Sequence, residues 1–183
     1  MKTAIFLANG FEEIEALTVA DLLRRVKIEC DIVSSEEEIE VMGSHGICVK
    51  ADRMISQMDF SEYECMVLPG GMPGTKGLES NQYLMSRLDE YIKADKLVCA
   101  ICAAPTILGH KGYLNGKKAV CYPGLEGELA GAETPECEVV RDGNIITSRG
   151  LGTAIEFAAE IVKAATDEST AENLLKTIVY KQY

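Results

Sequence analysis

The sequence predicts an α/β fold built on a doubly wound, mostly parallel sheet with helices on both faces. Two observations carry that prediction. Short apolar runs alternate with amphipathic helical patterns almost from end to end, the mark of strand–helix–strand units. The 183 residues hold no long polar linker, repeat or low-complexity tract, so residues 1–183 read as one domain around one core.

The elements follow in order. Lys2 to Ala8 is an apolar run and predicts the first strand. Glu12 to Val26 sets Glu15, Val19, Leu22 and Val26 on one helical row, behind a first turn rich in acids that suits the positive end of a helix dipole. Glu29 to Val33 predicts a second strand, and short strands are expected near Val41 and from Ile47 to Val49, around the acidic turn Ser34 to Glu38. Cys65 to Leu68 reads as a buried strand ending at Pro69-Gly70-Gly71. Asn81 to Ala94 is helical, with Leu84, Leu88 and Tyr91 or Ile92 on one face. Leu97 to Ile101 is another buried strand, running into Cys102-Ala103-Ala104-Pro105 and a helix to about His110. Glu138 to Arg141 and Asn144 to Ser148 form a hairpin about Asp142-Gly143, a strong turn pair. Gly152 to Ala165 and Ala171 to Lys181 close the chain as helices.

Composition narrows the function. The chain is 47% hydrophobic and 26% charged, ordinary for a globular protein. Its net charge of −11 argues against nucleic acid and against anionic membrane surfaces, because both need clustered Lys and Arg. No apolar run approaches the roughly 20 residues of a membrane span, and Ala4 to Ala8 is too short for the core of a secretion signal. Seven cysteines, an odd count spread through apolar runs, point to reduced thiols and a cytoplasmic setting.

In parallel sheets, reactive groups gather where strands end. Three strand exits stand out: Asn9-Gly10-Phe11-Glu12, Pro69-Gly70-Gly71-Met72 and Cys102-Ala103-Ala104-Pro105. A nucleotide site is not expected among them. The first exit lacks a dinucleotide fingerprint and the second lacks a Gly-Lys-Ser/Thr ending. Glu12, Glu13 and Glu15 would also repel a phosphate at that helix start.

Cys102 follows a buried strand and precedes small residues and Pro105, which fits a first helical turn. Such a turn can hold a nucleophile at the top of the sheet, and a helix N-terminus favours thiolate. The dipole offers only about 0.3–1 kcal/mol, against about 1.36 kcal/mol per pH unit of pKa. Backbone donors and a side-chain partner are therefore needed as well. The alternative is one more buried, inert cysteine.

Cys99 and Cys102 spell Cys-x-x-Cys, so a redox or zinc pair is an alternative to a lone nucleophile. An offset of three within a strand points the two side chains to opposite faces, and His45-Gly-Ile-Cys48 is a weak complement for zinc. No metal and no cofactor are expected.

Glu15 is the only charge on an otherwise apolar row, so it should be partly buried near the end of the first strand, whereas Glu12 and Glu13 read as solvated first-turn acids. Burial and a neighbouring thiolate both raise a carboxyl pKa. Glu15 is then expected to be neutral when Cys102 is ionised, and to transfer protons.

Four stretches, Asn-Gly-Phe-Glu-Glu-Ile-Glu (9–15), Leu-Pro-Gly-Gly (68–71), Ala-Ile-Cys-Ala-Ala-Pro-Thr (100–106) and Thr-Ser-Arg-Gly-Leu-Gly-Thr (147–153), carry a resemblance. In this order they resemble the ThiJ/PfpI family of the class I glutamine amidotransferase-like superfamily, specifically its parkinsonism-associated deglycase branch. The resemblance spans nearly the whole chain and implies a flavodoxin-like fold and a homodimer. It makes Cys102 the nucleophile and Glu15 its carboxylic partner, with oxyanion donors at the backbone N–H groups of Gly71 and Ala103. It also implies glutathione-independent glyoxalase chemistry, removal of early glycation adducts, and oxidative-stress sensing through cysteine sulfinic acid.

Two departures from the family's pattern matter. Ala103 stands where the protease-like branch has His, so peptidase activity is not expected. Tyr122 stands where the deglycase branch often has His, and a phenol of pKa about 10 is a poorer proton relay near neutrality; Tyr122 is retained as a relay or substrate contact. His45 and His110 read as structural or surface residues, and residues 150–152 as contributors to the dimer interface. Two functions stay open: an enzyme in which Cys102 attacks a small aldehyde or glycated substrate, and a non-enzymatic sensor or chaperone whose Cys102 is oxidised to sulfinic acid.

Overall fold

The computed structural model describes residues 1–181. Its main sheet has seven strands in the order β5-β2-β1-β6-β7-β9-β8. These are β1 (Lys2–Leu7), β2 (Glu29–Ser34), β5 (Arg53–Met54), β6 (Cys65–Leu68), β7 (Leu97–Ile101), β8 (Val139–Asp142) and β9 (Ile145–Ser148). All neighbours are parallel except β8 and β9, which form the expected hairpin. A separate antiparallel pair, β3 (Glu40–Met42) and β4 (Cys48–Lys50), stands outside this sheet.

Strand alternation builds two apolar layers. Ile5, Leu7, Cys65, Val67, Cys99 and Ile101 face one layer, with the helices α1 (Glu13–Arg25), α5 (Ala154–Ala165) and α6 (Glu168–Thr177). Ala4, Phe6, Met66, Leu68, Val98 and Ala100 face the other. That second layer is covered by α2 (Gly74–Ser80), α3 (Gln82–Lys93) and α4 (Pro105–His110). Successive strand residues point to opposite faces, so a continuous apolar run is what a sheet covered on both sides requires. The fold is the expected flavodoxin-like sandwich.

Three differences have local causes. The last helix starts at Glu168 rather than Ala171, because the Asp167 side chain accepts the Thr170 N–H at 2.8 Å and caps it. It stops at Thr177 rather than Lys181, in a turn where Val179 and Lys181 adopt positive φ. The helix α2 had no apolar stripe to announce it: only Gly74, Thr75 and Leu78 of its residues are buried. The two-residue strand β5 is too short to leave a pattern.

The order of strands decides where the site lies. From β1 the chain winds to β2 on one side, then crosses back to β6 on the other. The exits of β1, β6 and β7 therefore lie side by side, at the switch point where open α/β sheets hold ligands.

Candidate active site

Cys102 is the first residue after β7, and its backbone adopts φ +63°, a conformation uncommon for a residue with a side chain. Two hydrogen bonds hold it there. Its N–H donates to Ser148 O at 2.9 Å, at the end of β9, and its carbonyl accepts the Tyr122 N–H at 2.7 Å. The helix α4 begins three residues later and has only six residues, so the helix dipole contributes less than the sequence suggested. Individual backbone donors take its place: the N–H groups of Gly71 and Ala103 favour the ionised form of the Cys102 sulfur.

The β6 exit approaches so closely that side chains have no room. A Cβ on Gly70 would lie 2.5 Å from Cys102 Cβ, 2.8 Å from Glu15 Oε2 and 3.0 Å from Cys102 Sγ. Gly71, at φ +90°, would set a Cβ 2.5 Å from both Glu12 N and Gly10 O of the β1 exit. The two loops are joined by Glu12 N–H donating to Gly70 O at 2.9 Å. All three exits thus meet, as the sequence suggested.

Glu15 projects from the first turn of α1 and is 1% exposed. Its Oε2 accepts the Gly70 N–H at 2.8 Å, while its Oε1 is buried without a hydrogen-bond partner among the described residues. A methyl group on Gly150 would sit 3.9 Å from this Oε1, 3.9 Å from Cys102 Sγ and 3.5 Å from Tyr122 Cδ2. Carboxyl, sulfur and phenol ring therefore converge on one small space roofed by the Gly150 backbone. Tyr122 is exposed, and its hydroxyl makes no hydrogen bond among the described residues.

Burial raises Glu15 to about 7, against the pull of the Gly70 N–H and the Cys102 thiol. Burial also pushes Cys102 up to about 12, the Glu15 charge adding to it and the Gly71 and Ala103 donors opposing it. Two such groups titrate as a pair. Between about 7 and about 12 the pair carries one proton. With that proton on sulfur the carboxylate bears the charge; with it on Glu15, thiolate faces the two N–H donors. Glu15 ionises first, so the proton rests on the Cys102 sulfur, the reverse of the expected thiolate beside a neutral carboxyl.

Several expectations are corrected. Glu13 is not solvated: it is 2% exposed and accepts the His45 N–H at 2.7 Å, with His45 Nδ1 at 3.0 Å and Ser44 Oγ at 3.3 Å. Burial alone would raise it, but the His45 side chain and backbone N–H donors outweigh burial and hold it at about 2. Glu12, Glu13 and His45 bring their donor atoms within 4.8 Å of one another, and Cys48 is not among them. Cys99 and Cys102 do not part to opposite faces, because strand alternation ends at Ile101; both pack against the same layer. Cys99 instead meets Cys65 across the sheet, with sulfurs 3.9 Å apart. His110 lies between Glu79 and Glu128, at 2.6 and 2.9 Å. Gly150 faces Cys102. Gly70 and Gly150 also line the site; both lie within the motifs at 68–71 and 147–153, but no charge or reactive group marks them in the sequence.

The fold has counterparts among known proteins. The profile of the DJ-1/PfpI family matches residues 1–164. Protein DJ-1 homolog B of Arabidopsis thaliana is 35% identical over 158 residues, 86% of this chain and 36% of that protein. This chain thus spans about a third of that longer relative. A deglycase of Pyrococcus horikoshii is 33% identical over 165 residues, covering 89% of this chain and 98% of its own. The structure of oxidized DJ-1 from Toxoplasma gondii superposes with a TM-score of 0.94 at 35% identity, covering 98% of each chain.

Proposed function

The chain belongs to the DJ-1/PfpI family, and on that premise we propose that it is a cysteine-dependent enzyme acting on small 2-oxoaldehydes and their early glycation adducts. The observation that carries this reading is the convergence of Cys102 Sγ and Glu15 Oε1, which has no hydrogen-bond partner among the described residues, on the small space beneath Gly150. Relatives named deglycases support the same class of chemistry.

The steps follow from one shared proton. Glu15 takes the thiol proton as Cys102 sulfur bonds to the aldehyde carbon. The resulting oxyanion is stabilised by the Gly71 and Ala103 N–H groups and receives the proton from Glu15. The Glu15 carboxylate then removes the proton from that carbon and returns it to the neighbouring carbonyl carbon, while the hydroxyl proton passes to the neighbouring oxygen, leaving a 2-hydroxyacyl thioester. Water cleaves the thioester, giving a hydroxy acid and the free thiol. Methylglyoxal plus water becomes lactate with no external oxidant and no cofactor. A carboxyl near 7 suits it to give and take protons at neutral pH. Tyr122 contacts substrate at the mouth.

The protein acts in this reading as a homodimer in a reducing, cytoplasmic setting. Its seven cysteines are all free. Exposed Ile14, Met42 and Ile47 lie on α1 and on the β3–β4 hairpin, which is tied to the β1 exit by Gly10 N–H donating to Met42 O at 2.7 Å.

A second reading keeps the thiol but needs no substrate. Cys102 is half-buried rather than sealed, and a similar protein is known in an oxidized form. Peroxide would convert Cys102 to sulfinic acid, held by the same donors. A paired assay separates the two. Methylglyoxal is supplied and lactate measured, beside peroxide treatment and peptide mass spectrometry. Turnover lost in Cys102→Ser and Glu15→Gln supports the enzyme; two oxygens added at Cys102 without turnover supports the sensor. Oxidation spread evenly over all seven cysteines sinks both.

A further inference from the structure

We propose that Cys65 and Cys99 form a buried site for a soft monovalent cation, cuprous copper, held between their two sulfurs inside the sheet–helix layer. The site is independent of the aldehyde reading and uses none of its residues.

Both cysteines are 0% exposed and lie on the layer covered by α1, α5 and α6, with sulfurs 3.9 Å apart. Register decides what such a pair can do. Cys65 lies opposite Leu97, and Cys99 lies opposite Val67, so the two are offset by two residues along neighbouring parallel strands. A rise of about 3.3 Å per residue and a strand spacing of about 4.8 Å put their Cα atoms about 8 Å apart, beyond the roughly 7 Å that a disulfide spans. The sulfurs approach, but the backbones stand too far apart for a sulfur–sulfur bond.

A bridging metal suits that gap. With metal–sulfur bonds of about 2.3 Å, sulfurs 3.9 Å apart subtend about 116° at the metal. Thiolate ligands select soft ions such as cuprous copper, which is closed-shell and satisfied by a pair of sulfurs. Zinc would need four ligands, and among the described residues no His, Asp, Glu or further Cys joins the pair at ligand distance.

A second observation points to an anionic sulfur here. Thr3 is 0% exposed, and its Oγ1 has no hydrogen-bond partner among the described residues. Thr3 lies opposite Cys65 in the register of β1 and β6. By strand alternation it shares a face with Ile5 and Leu7, which pack in the same layer as the two cysteines. A buried hydroxyl without a partner is uncommon and costly, and a metal-bound Cys65 thiolate would accept its proton in a hydrogen bond.

Burial holds the Cys99 thiol well above its ordinary range, so that sulfur does not ionise unaided. The metal replaces the protons. One cuprous ion displaces a proton from each thiol, two copper–sulfur bonds form, both protons pass to water, and no electron is transferred. The complex carries one negative charge, which the Thr3 hydroxyl and the Arg141 guanidinium favour. Cys30 shares the layer but stands across β1, because Thr3 pairs with both Cys30 and Cys65. It lies two strand spacings away, about 10 Å, and serves as the control.

The test first alkylates the native protein with iodoacetamide, which reaches exposed Cys48 and the half-buried Cys102 and Cys137 but not the buried pair. Cuprous copper is then supplied anaerobically as its bicinchoninate complex. The alkylated protein should retain one equivalent, with two sulfur neighbours in the copper X-ray absorption spectrum. Loading should quicken in dilute urea, because fully buried sulfurs are reached only by local opening. Affinity should fall at least tenfold in Cys65→Ala and in Cys99→Ala, stay unchanged in Cys30→Ala, and fall severalfold in Thr3→Val with the stoichiometry kept. Should an alanine variant fail to fold, the wild-type spectrum and Thr3→Val decide. No copper retained by the alkylated wild type overturns the site, as does equal affinity in wild type and Cys99→Ala. A Cys65–Cys99 disulfide formed by diamide also overturns it, since the pair would then close without a metal. None of these results bears on lactate formation at Cys102.

Discussion

Two glycines test the geometry in opposite ways. Gly70→Ala would force a methyl group to within 2.5 Å of Cys102 Cβ, so the loop or the sulfur must move. Overpacking of this kind costs about 1–3 kcal/mol, and displacement of the sulfur by about 1 Å costs on the order of 100-fold in rate. Both losses should appear, in denaturant unfolding and in lactate formation. Gly150→Ala differs because its methyl makes ordinary contacts of 3.5–3.9 Å and its extended backbone suits any residue. Stability should change by less than about 0.5 kcal/mol, while turnover falls because the substrate's space is filled. Equal activity in wild type and Gly150→Ala would show that substrate does not approach beneath Gly150. At the sulfur itself, Glu15→Leu removes the charge and the hydrogen bond that raise Cys102. Thiolate absorbance should then titrate below about 12, and an unchanged titration would break the proposed coupling.

Among the elements, the β3–β4 hairpin has the clearest pH signature. It is tied to the start of α1 by His45 on Glu13. Glu13 is depressed to about 2, so its contribution is present above the ordinary carboxylate value of 4.5 and is lost as pH falls through about 2. His45 is raised by its hydrogen bond to Glu13. Its contribution is complete below the ordinary value of 6.5 and disappears as pH rises through the higher folded value. Amide exchange at Ser44 to Ile47 should therefore quicken above neutrality beyond its intrinsic pH dependence. His45→Gln should flatten that extra rise; an identical profile in the variant would show that the imidazole does not hold the hairpin.

For the molecule as a whole, the site is bought with stability. Glu15 rises from 4.5 to about 7 because folding buries it. The folded state therefore binds more protons than the unfolded state between these values, and stability falls as pH rises through that window. At about 1.36 kcal/mol per pH unit, the cost is about 3 kcal/mol above pH 7. Glu15→Gln should gain up to that amount over wild type between about pH 4 and about pH 8, while losing turnover. Urea unfolding at both pH values measures it, and a constant difference would mean that the carboxyl is not strained by burial.

Most of the fold was readable in the order of residues. Apolar runs such as Cys65 to Leu68 and Leu97 to Ile101 must be strands covered on both faces, and the row through Glu15, Val19 and Leu22 must be a helix with one face inside, because periodicity is a local property of the chain. The same rows exposed Glu15 as a charge in the wrong place, and the strand-to-turn junction exposed Cys102. What no local pattern could decide was distance between segments remote in sequence. Only the tertiary structure buries Glu13 under His45, turns Cys99 toward Cys65, and lays the Gly150 backbone over the sulfur. It also assigns one shared proton to Cys102 and Glu15, because desolvation and the field of a neighbouring charge exist only once β1, β6 and β7 bring their exits together.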